Sequence, residues 1–317
     1  MNFSQLPPWV HHALRAANQL QLGLRHRVLH GKIVQSKQRF EAEVKAQKQQ
    51  SVPEKIIRIA GMPRSGNHAV ISWLTHALGT QNVIFFNNCA PAHHLTEFAQ
   101  CQIDDRVIKG RNLFSGTGLS KRSVEHVLEQ TCKRPIHIVS YERQDLDVVL
   151  GDFTNVSAHY TSTPSVTDLI VYRHPLNWLA SYYKVSLQRR PTTWTSEIFS
   201  AFDQYIEYVD KALVQSSIYY DRWVYDKDYQ EQILADFGAQ NASHDLGQTS
   251  TFGWGSSFAG TRDDPNPKAL TSRWKSLLED ENFETYVLSK LSDQHWRWMG
   301  KKFQIRKDQV FDGITRK

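Results

Sequence analysis

Cysteine is scarce in this sequence: Cys89, Cys101 and Cys132 are the only three, and no two form a C-x-x-C pair. An odd, scattered set of three argues against a disulfide framework and against a zinc ribbon, and it suits a reducing, cytoplasmic setting. Long apolar runs are also missing. Nothing approaches the roughly 20 residues that cross a bilayer. His11, His12, Arg15, Asn18 and Gln19 interrupt the stretch where a signal peptide needs an apolar core. No G-x-x-x-x-G-K-[ST] occurs either, which removes the lysine and the magnesium-binding hydroxyl of a nucleotide triphosphatase. What is present is ordinary globular composition, 40% hydrophobic and 22% charged over 317 residues, enough to build a sizeable core and too apolar for a disordered chain.

The net charge of +6 invites a nucleic-acid or membrane reading until its position is counted. Residues 1–50 carry eight lysines and arginines against two glutamates, so residues 51–317 are formally neutral. The basic character belongs to the N-terminal segment, which reads as a helical extension with a loose apolar stripe at Val10, Leu14, Leu20, Leu24 and Val28. That segment is expected first to pack as a helix on the domain; the alternatives are that it meets another subunit, or steers an anionic acceptor or a membrane surface. Nucleic acid is not expected as a partner.

After Ser51-Val52-Pro53 the pattern changes. A β-branched run over residues 55–60 enters Gly61-Met62-Pro63-Arg64-Ser65-Gly66-Asn67, and a helical pattern follows from His68 until Gly79 stops it. Further strands are predicted at 82–86, 136–140 and 168–172, and helices at 120–133, 176–189 and 196–213. Strands alternating with helices predict an α/β fold with a parallel sheet flanked by helices. A strand, a tight glycine loop and a helix together present backbone N–H groups to an anion, and the helix dipole adds to the attraction. Arg64 stands within that loop, where a guanidinium can fork onto phosphate or sulfate oxygens. A plain strand-to-helix turn with a surface arginine is the alternative. At a second strand end, Arg173-His174-Pro175 opens a helix, and Ser181 follows about two helical turns after Arg173, on roughly the same side.

Together these elements resemble the sulfotransferases that use 3′-phosphoadenosine 5′-phosphosulfate (PAPS), a family with a P-loop-type fold. Its first loop reads P-[KR]-S-G-[TN], matched by Pro63-Arg64-Ser65-Gly66-Asn67. Its second reads R-x-P with a serine eight residues after the arginine, matched by Arg173-His174-Pro175 and Ser181. Tyr220-Asp221 resembles the family's tyrosine–acid pair beside the adenine, and Ser256-Ser257-Phe258 its [ST]-S-F turn, whose aromatic ring packs on the adenine. Arg273-Trp274-Lys275 is similar to a tryptophan–basic segment near the 3′-phosphate. The resemblance covers about residues 55–300 and divides the chain into the basic extension, 1–50, and a sulfotransferase-like domain, 51–317. The arginine-lysine-glycine run expected before the tryptophan is absent; Asn266-Pro267-Lys268 stands there, which leaves Lys268 or Arg273 to supply the second charge on the 3′-phosphate.

The resemblance implies sulfuryl transfer from PAPS to a hydroxyl, or less readily an amine, of a small molecule or glycan, without a metal. Donor-binding residues would be Arg64, Ser65, Gly66, Asn67, His68, Arg173, Ser181, Tyr220, Ser256 and Phe258, with Arg64 also stabilising the leaving phosphate. His68 is either a further donor to phosphate or an ordinary helix residue. The base falls to Glu142, just beyond the strand at 136–140, or to His93, His94 or His159; a surface carboxylate paired with Arg143 is the competing view of Glu142. Adjacent His93 and His94 lack the carboxylate or thiol spacing that completes a metal site. The rival functions are a P-loop small-molecule kinase and a catalytically silent nucleotide-binding protein on the same scaffold.

Overall fold

The computed structural model describes residues 53–90, 98–109, 121–150, 163–189, 194–239 and 271–315. The helical extension expected over 1–50 lies outside them. The strand expected after Pro53 is β1, Lys55–Gly61, and every residue from Ile56 onward is buried. Helix α1, Asn67–Ala77, follows the loop. Next come β2, Val83–Cys89, β3, Phe98–Ile103, and β4, Arg106–Lys109. Helix α2, Lys121–Lys133, leads to β5, Ile136–Glu142, and the single turn α3, Leu146–Val149. Strand β6, Ser165–Tyr172, runs into α4, Pro175–Arg189, and α5, Trp194–Ala212. Strand β7, Ser217–Tyr219, continues directly into α6, Tyr220–Trp223, and then α7, Lys227–Asp236. A 3₁₀ turn at Arg273–Leu277 precedes α8, Glu281–Tyr286, α9, Asp293–Phe303, and α10, Lys307–Thr315.

One seven-stranded sheet has the order β4-β3-β2-β5-β1-β6-β7. The five strands from β2 to β7 are parallel, but β3 and β4 run antiparallel at one edge, so the sheet is mixed and not parallel throughout as the sequence pattern predicts. The reason is local. Asp104 takes a left-handed φ of 52°, and with Asp105 it makes the two-residue turn of a hairpin that buries Phe98, Cys101 and Ile103 in β3 but only Ile108 in β4.

Alternation along β1 divides the core. Ile57 and Ile59 join α1, α6 and α7 on one face, with Trp73, Leu74, Trp223 and Leu234. Ile56 and Ala60 face the other way, onto α4, α5 and α9 with Trp178, Phe202 and Met299. Each fully buried isoleucine contributes about 1.5–3 kcal/mol of burial free energy. The aromatic–basic stretch at 296–303 closes this second face: Trp296 is buried while Lys301 and Lys302 stay exposed, as expected for a packed helix with solvated lysines.

Arg58 is the polar exception in β1. It sits directly across from Asp168 of β6, and its guanidinium forks onto that carboxylate at 2.6 and 2.7 Å while Nη1 donates to the Val149 carbonyl at 2.9 Å. The charge is tolerated inside the sheet because it is bonded on three sides.

Candidate functional site

The carboxyl ends of β5, β1 and β6 lie side by side, and the loops leaving them carry the residues singled out from the sequence. The loop after β1 is a tight turn: Ser65 N–H donates to Met62 O at 3.1 Å, Arg64 has φ 76° and Gly66 has φ 103°. Two glycines are needed for contact reasons. A Cβ on Gly61 would lie 2.2 Å from Asn67 Oδ1, and one on Gly66 would lie 2.1 Å from Tyr220 Cδ2. Because the Ser65 N–H already donates to Met62 O, the main-chain donors the turn can offer to an anion begin at Gly66 and Asn67. The Ser65 hydroxyl and the Asn67 side-chain amide are buried without a hydrogen-bond partner.

Helix α4 clamps this turn. Trp178 Nε1 donates to Pro63 O at 2.9 Å, and Arg64 Nε donates to Ser181 Oγ at 3.1 Å. The sequence associates Ser181 with Arg173; in the structure its hydroxyl accepts from Arg64, so it joins the two loops to each other. Arg173 is almost wholly buried, lies 3.9 Å from Asp221 Oδ1 and stacks its guanidinium 4.9 Å from the Tyr220 ring centre. Tyr205 donates its hydroxyl to the Arg173 carbonyl.

Asp221 and Asn177 set the position of the third arginine. Asp221 accepts from His174 N–H at 2.5 Å and from Asn177 Nδ2 at 2.7 Å. Asn177 also donates to Thr271 O at 2.7 Å and accepts from Trp274 N–H at 3.3 Å, which fixes the segment that carries Arg273. Burial, reinforced by the positive charges of Arg173 and Arg64, pushes Arg273 down to about 10, while Tyr220 and Asp221 oppose the shift. Among the described residues, three guanidiniums thus stand near one another in a region of low dielectric, with the Asp221 carboxylate beside Arg173. His174, half-buried beside them, is held below the ordinary imidazole value by burial, against Asp221 and with Arg173 and Lys275 adding to the effect.

On the other side of the loop stands a polar chain. His68 Nε2 meets Asn87 Oδ1 at 3.1 Å and lies 3.9 Å from Glu142 Oε1. Asn87 Oδ1 also accepts from Ser140 Oγ at 3.0 Å, and as an acceptor it assigns the proton to His68 Nε2. The competing view of Glu142, a pair with Arg143, is not what forms: Arg143 turns away with φ 56° and donates to Gln204 at 3.0 Å.

The structure therefore gathers Arg64, Ser65, Gly66, Asn67, His68, Glu142, Arg173, Ser181 and Tyr220 around adjoining loops. His93, His94, His159, Ser256, Phe258 and Lys268 lie outside the described residues. Asn87, Ser140 and Asn177 went unnoticed in the sequence. Asn87 carries one signal, an amide directly after the apolar run Val83–Phe86 at which the predicted strand ends. Among the described residues no three His, Cys, Asp or Glu side chains form a metal-binding group, and no helix is long and apolar enough to cross a membrane.

No protein-family model and no curated protein matches the chain. Among solved structures, it is similar to the sulfotransferase domain from the Synechococcus PCC 7002 olefin synthase, at 16% identity over 71% of this chain and 89% of that one, with a TM-score of 0.38. A likeness of that extent bears on neither chemistry nor substrate.

Proposed function

We propose that this chain is a PAPS-dependent sulfotransferase acting on a hydroxyl group. The observation that carries the reading is the meeting of Arg64, Arg173 and Arg273 with Ser181 and Tyr220 around one glycine turn, since the sequence motifs that suggested a donor site are far apart in the chain. In this reading Arg173 and Arg273 hold the 3′-phosphate. Arg64, the Ser65 hydroxyl and the N–H groups of Gly66 and Asn67 hold the 5′-phosphate. Tyr220, wedged between Gly66 and Arg173, borders the adenine.

The donor supplies an activated sulfuryl group: its sulfur–oxygen bond to the 5′-phosphate breaks as a new bond forms to the acceptor oxygen. Arg64 neutralises the charge that grows on the departing phosphate. Glu142 takes the proton released by the acceptor hydroxyl, so the balance closes on sulfated acceptor, 3′-phosphoadenosine 5′-phosphate and a protonated carboxylate. His68 and Asn87 position Glu142 and border the space into which sulfur must move.

Calorimetry with 3′-phosphoadenosine 5′-phosphate, without magnesium, tests the donor site; binding of ATP–Mg²⁺ in preference would overturn it in favour of a kinase. Glu142→Gln is expected to retain that affinity while lowering kcat by about 10²–10⁴-fold. Unchanged turnover would remove Glu142 as the base.

A further inference from the structure

Beyond the last ladder pair, main-chain carbonyls leaving a sheet must find partners elsewhere. At three adjoining strand ends the partner is an aromatic side chain. Trp178 donates to Pro63 O in the turn after β1 at 2.9 Å, Tyr205 to Arg173 O after β6, and Tyr208 to Gln144 O after β5. Glu142 and Val171 both stand opposite Gly61, so Gln144 and Arg173 are equivalent positions, each two residues past that level. Their strands flank β1 and so lie about 10 Å apart.

Both carbonyls are reached from a single helix. Tyr205 and Tyr208 are buried and stand one turn apart on α5, about 4.5 Å along its axis. Tyr205 also stacks on Trp178 at 4.6 Å, which joins the anchor of the β6 loop to that of the β1 turn. The hold on the loop after β5 continues along α5. Gln204 accepts from Arg143 Nε at 3.0 Å, and Lys211 Nζ reaches Asp147 at 2.5 Å. Positions 204, 208 and 211 share one face of the helix, and they meet residues 143, 144 and 147 in the same order. Glu142 is the next residue in the chain before this held segment.

The two hydroxyls contribute something that the rings do not. Burial of a ring is non-directional, whereas an O–H fixes a carbonyl in distance and angle. Because both anchors are main-chain groups, one turn of helix sets the gap between the loop of Arg173 and the loop of Glu142. A displacement of about 1 Å between reacting groups costs on the order of a hundredfold in rate, so that gap matters to transfer.

We propose that Tyr205 and Tyr208 are positioning residues: through their hydroxyls, α5 sets the place of Glu142 relative to a ligand held by Arg173. The assignment rests on the sulfotransferase reading above, and it adds two residues that act through the main chain of the site.

The test removes one oxygen atom at a time from the full chain, with Tyr205→Phe and Tyr208→Phe. Calorimetry with 3′-phosphoadenosine 5′-phosphate reads the Arg173 side. Carbon NMR of protein labelled at the glutamate carboxyl carbons reads the other side, the Glu142 resonance being identified by its loss in Glu142→Gln. Tyr205→Phe is expected to weaken 3′-phosphoadenosine 5′-phosphate by about tenfold, and to leave the Glu142 resonance in place once the nucleotide saturates. Tyr208→Phe should bind the nucleotide as wild type does while its Glu142 resonance is displaced or broadened. A general loosening of the fold would instead move both readouts together in both variants. Equal losses of nucleotide affinity, or a Glu142 resonance unmoved in Tyr208→Phe, overturn the positioning role and leave the donor reading standing. Should Tyr205→Phe fail to fold, Tyr208→Phe decides by itself. Wild-type protein that binds no 3′-phosphoadenosine 5′-phosphate overturns the donor reading and this assignment with it, so calorimetry tells the two failures apart.

Discussion

Arg64 donates from Nε to the hydroxyl of Ser181, 3.1 Å away, across 117 residues of sequence. The bond fixes the guanidinium in the turn after β1 against a helix that begins after β6, so the two residues should act on a bound anion as a unit. In calorimetry with 3′-phosphoadenosine 5′-phosphate, Arg64→Ala is expected to cost about 1.5–3 kcal/mol, or roughly ten- to a hundredfold in affinity. Ser181→Ala should cost less, and the double variant less than the two together. Strict additivity would show that the contact contributes nothing to binding.

Arg173 and Arg273 make a separable prediction. If they hold the 3′-phosphate, Arg173→Ala and Arg273→Ala should each weaken 3′-phosphoadenosine 5′-phosphate by about tenfold or more, and should scarcely change the affinity for adenosine 5′-monophosphate. Equal losses for both nucleotides would place these arginines elsewhere on the ligand.

The Arg58–Asp168 pair predicts an asymmetry in stability. Arg58→Met alone leaves the partly exposed Asp168 carboxylate and the Val149 carbonyl without the guanidinium and is expected to cost about 1–3 kcal/mol in urea denaturation. Arg58→Met with Asp168→Leu should recover most of that loss, because the two sites are direct cross-strand neighbours. A double variant no better than the single would mean that the Val149 carbonyl is the essential partner.

His137 gives the pH dependence. It is fully buried in β5, against the edge of Phe86, and burial lowers it from 6.5 to about 4. Between those values the unfolded chain binds a proton that the folded protein excludes. Stability should therefore fall as pH drops through that window, by on the order of 3 kcal/mol once below both values, with nothing lost above the upper one. Denaturation midpoints of wild type and His137→Leu at pH 7 and pH 4.5 check this: the variant should show the shallower decline.

Much of this was legible in the sequence because it depends on local pattern. Strands β1, β5 and β6 are rich in β-branched and other apolar residues, interrupted by Arg58, His137 and Asp168, and the helices after β1 and β6 open where the motifs end. The hairpin of β3 and β4 was missed because its strands carry only half a buried pattern, and β7 because three residues give no periodicity. The site divides the same way. Arg64 and Arg173 stand at strand ends and declare themselves, whereas the link between Asn177 and the 271–274 segment exists only once a helix and a distant turn are folded together. Glu142 could be placed in sequence but its partner could not, since His68 reaches it across neighbouring strands.

Trp178 finally bears on how a ligand meets this protein. Its indole holds the Pro63 carbonyl, and with the Arg64–Ser181 bond it ties the first loop to α4 at two points. Ordering a loop of this kind at the moment of association would subtract from affinity and slow capture. Here the loop's shape is imposed during folding by a core tryptophan, so an anion arriving at the proposed donor site would encounter a rigid template. Loosening that anchor, as in Trp178→Phe, would be felt as slower association and a larger entropic penalty at a ligand the indole never touches.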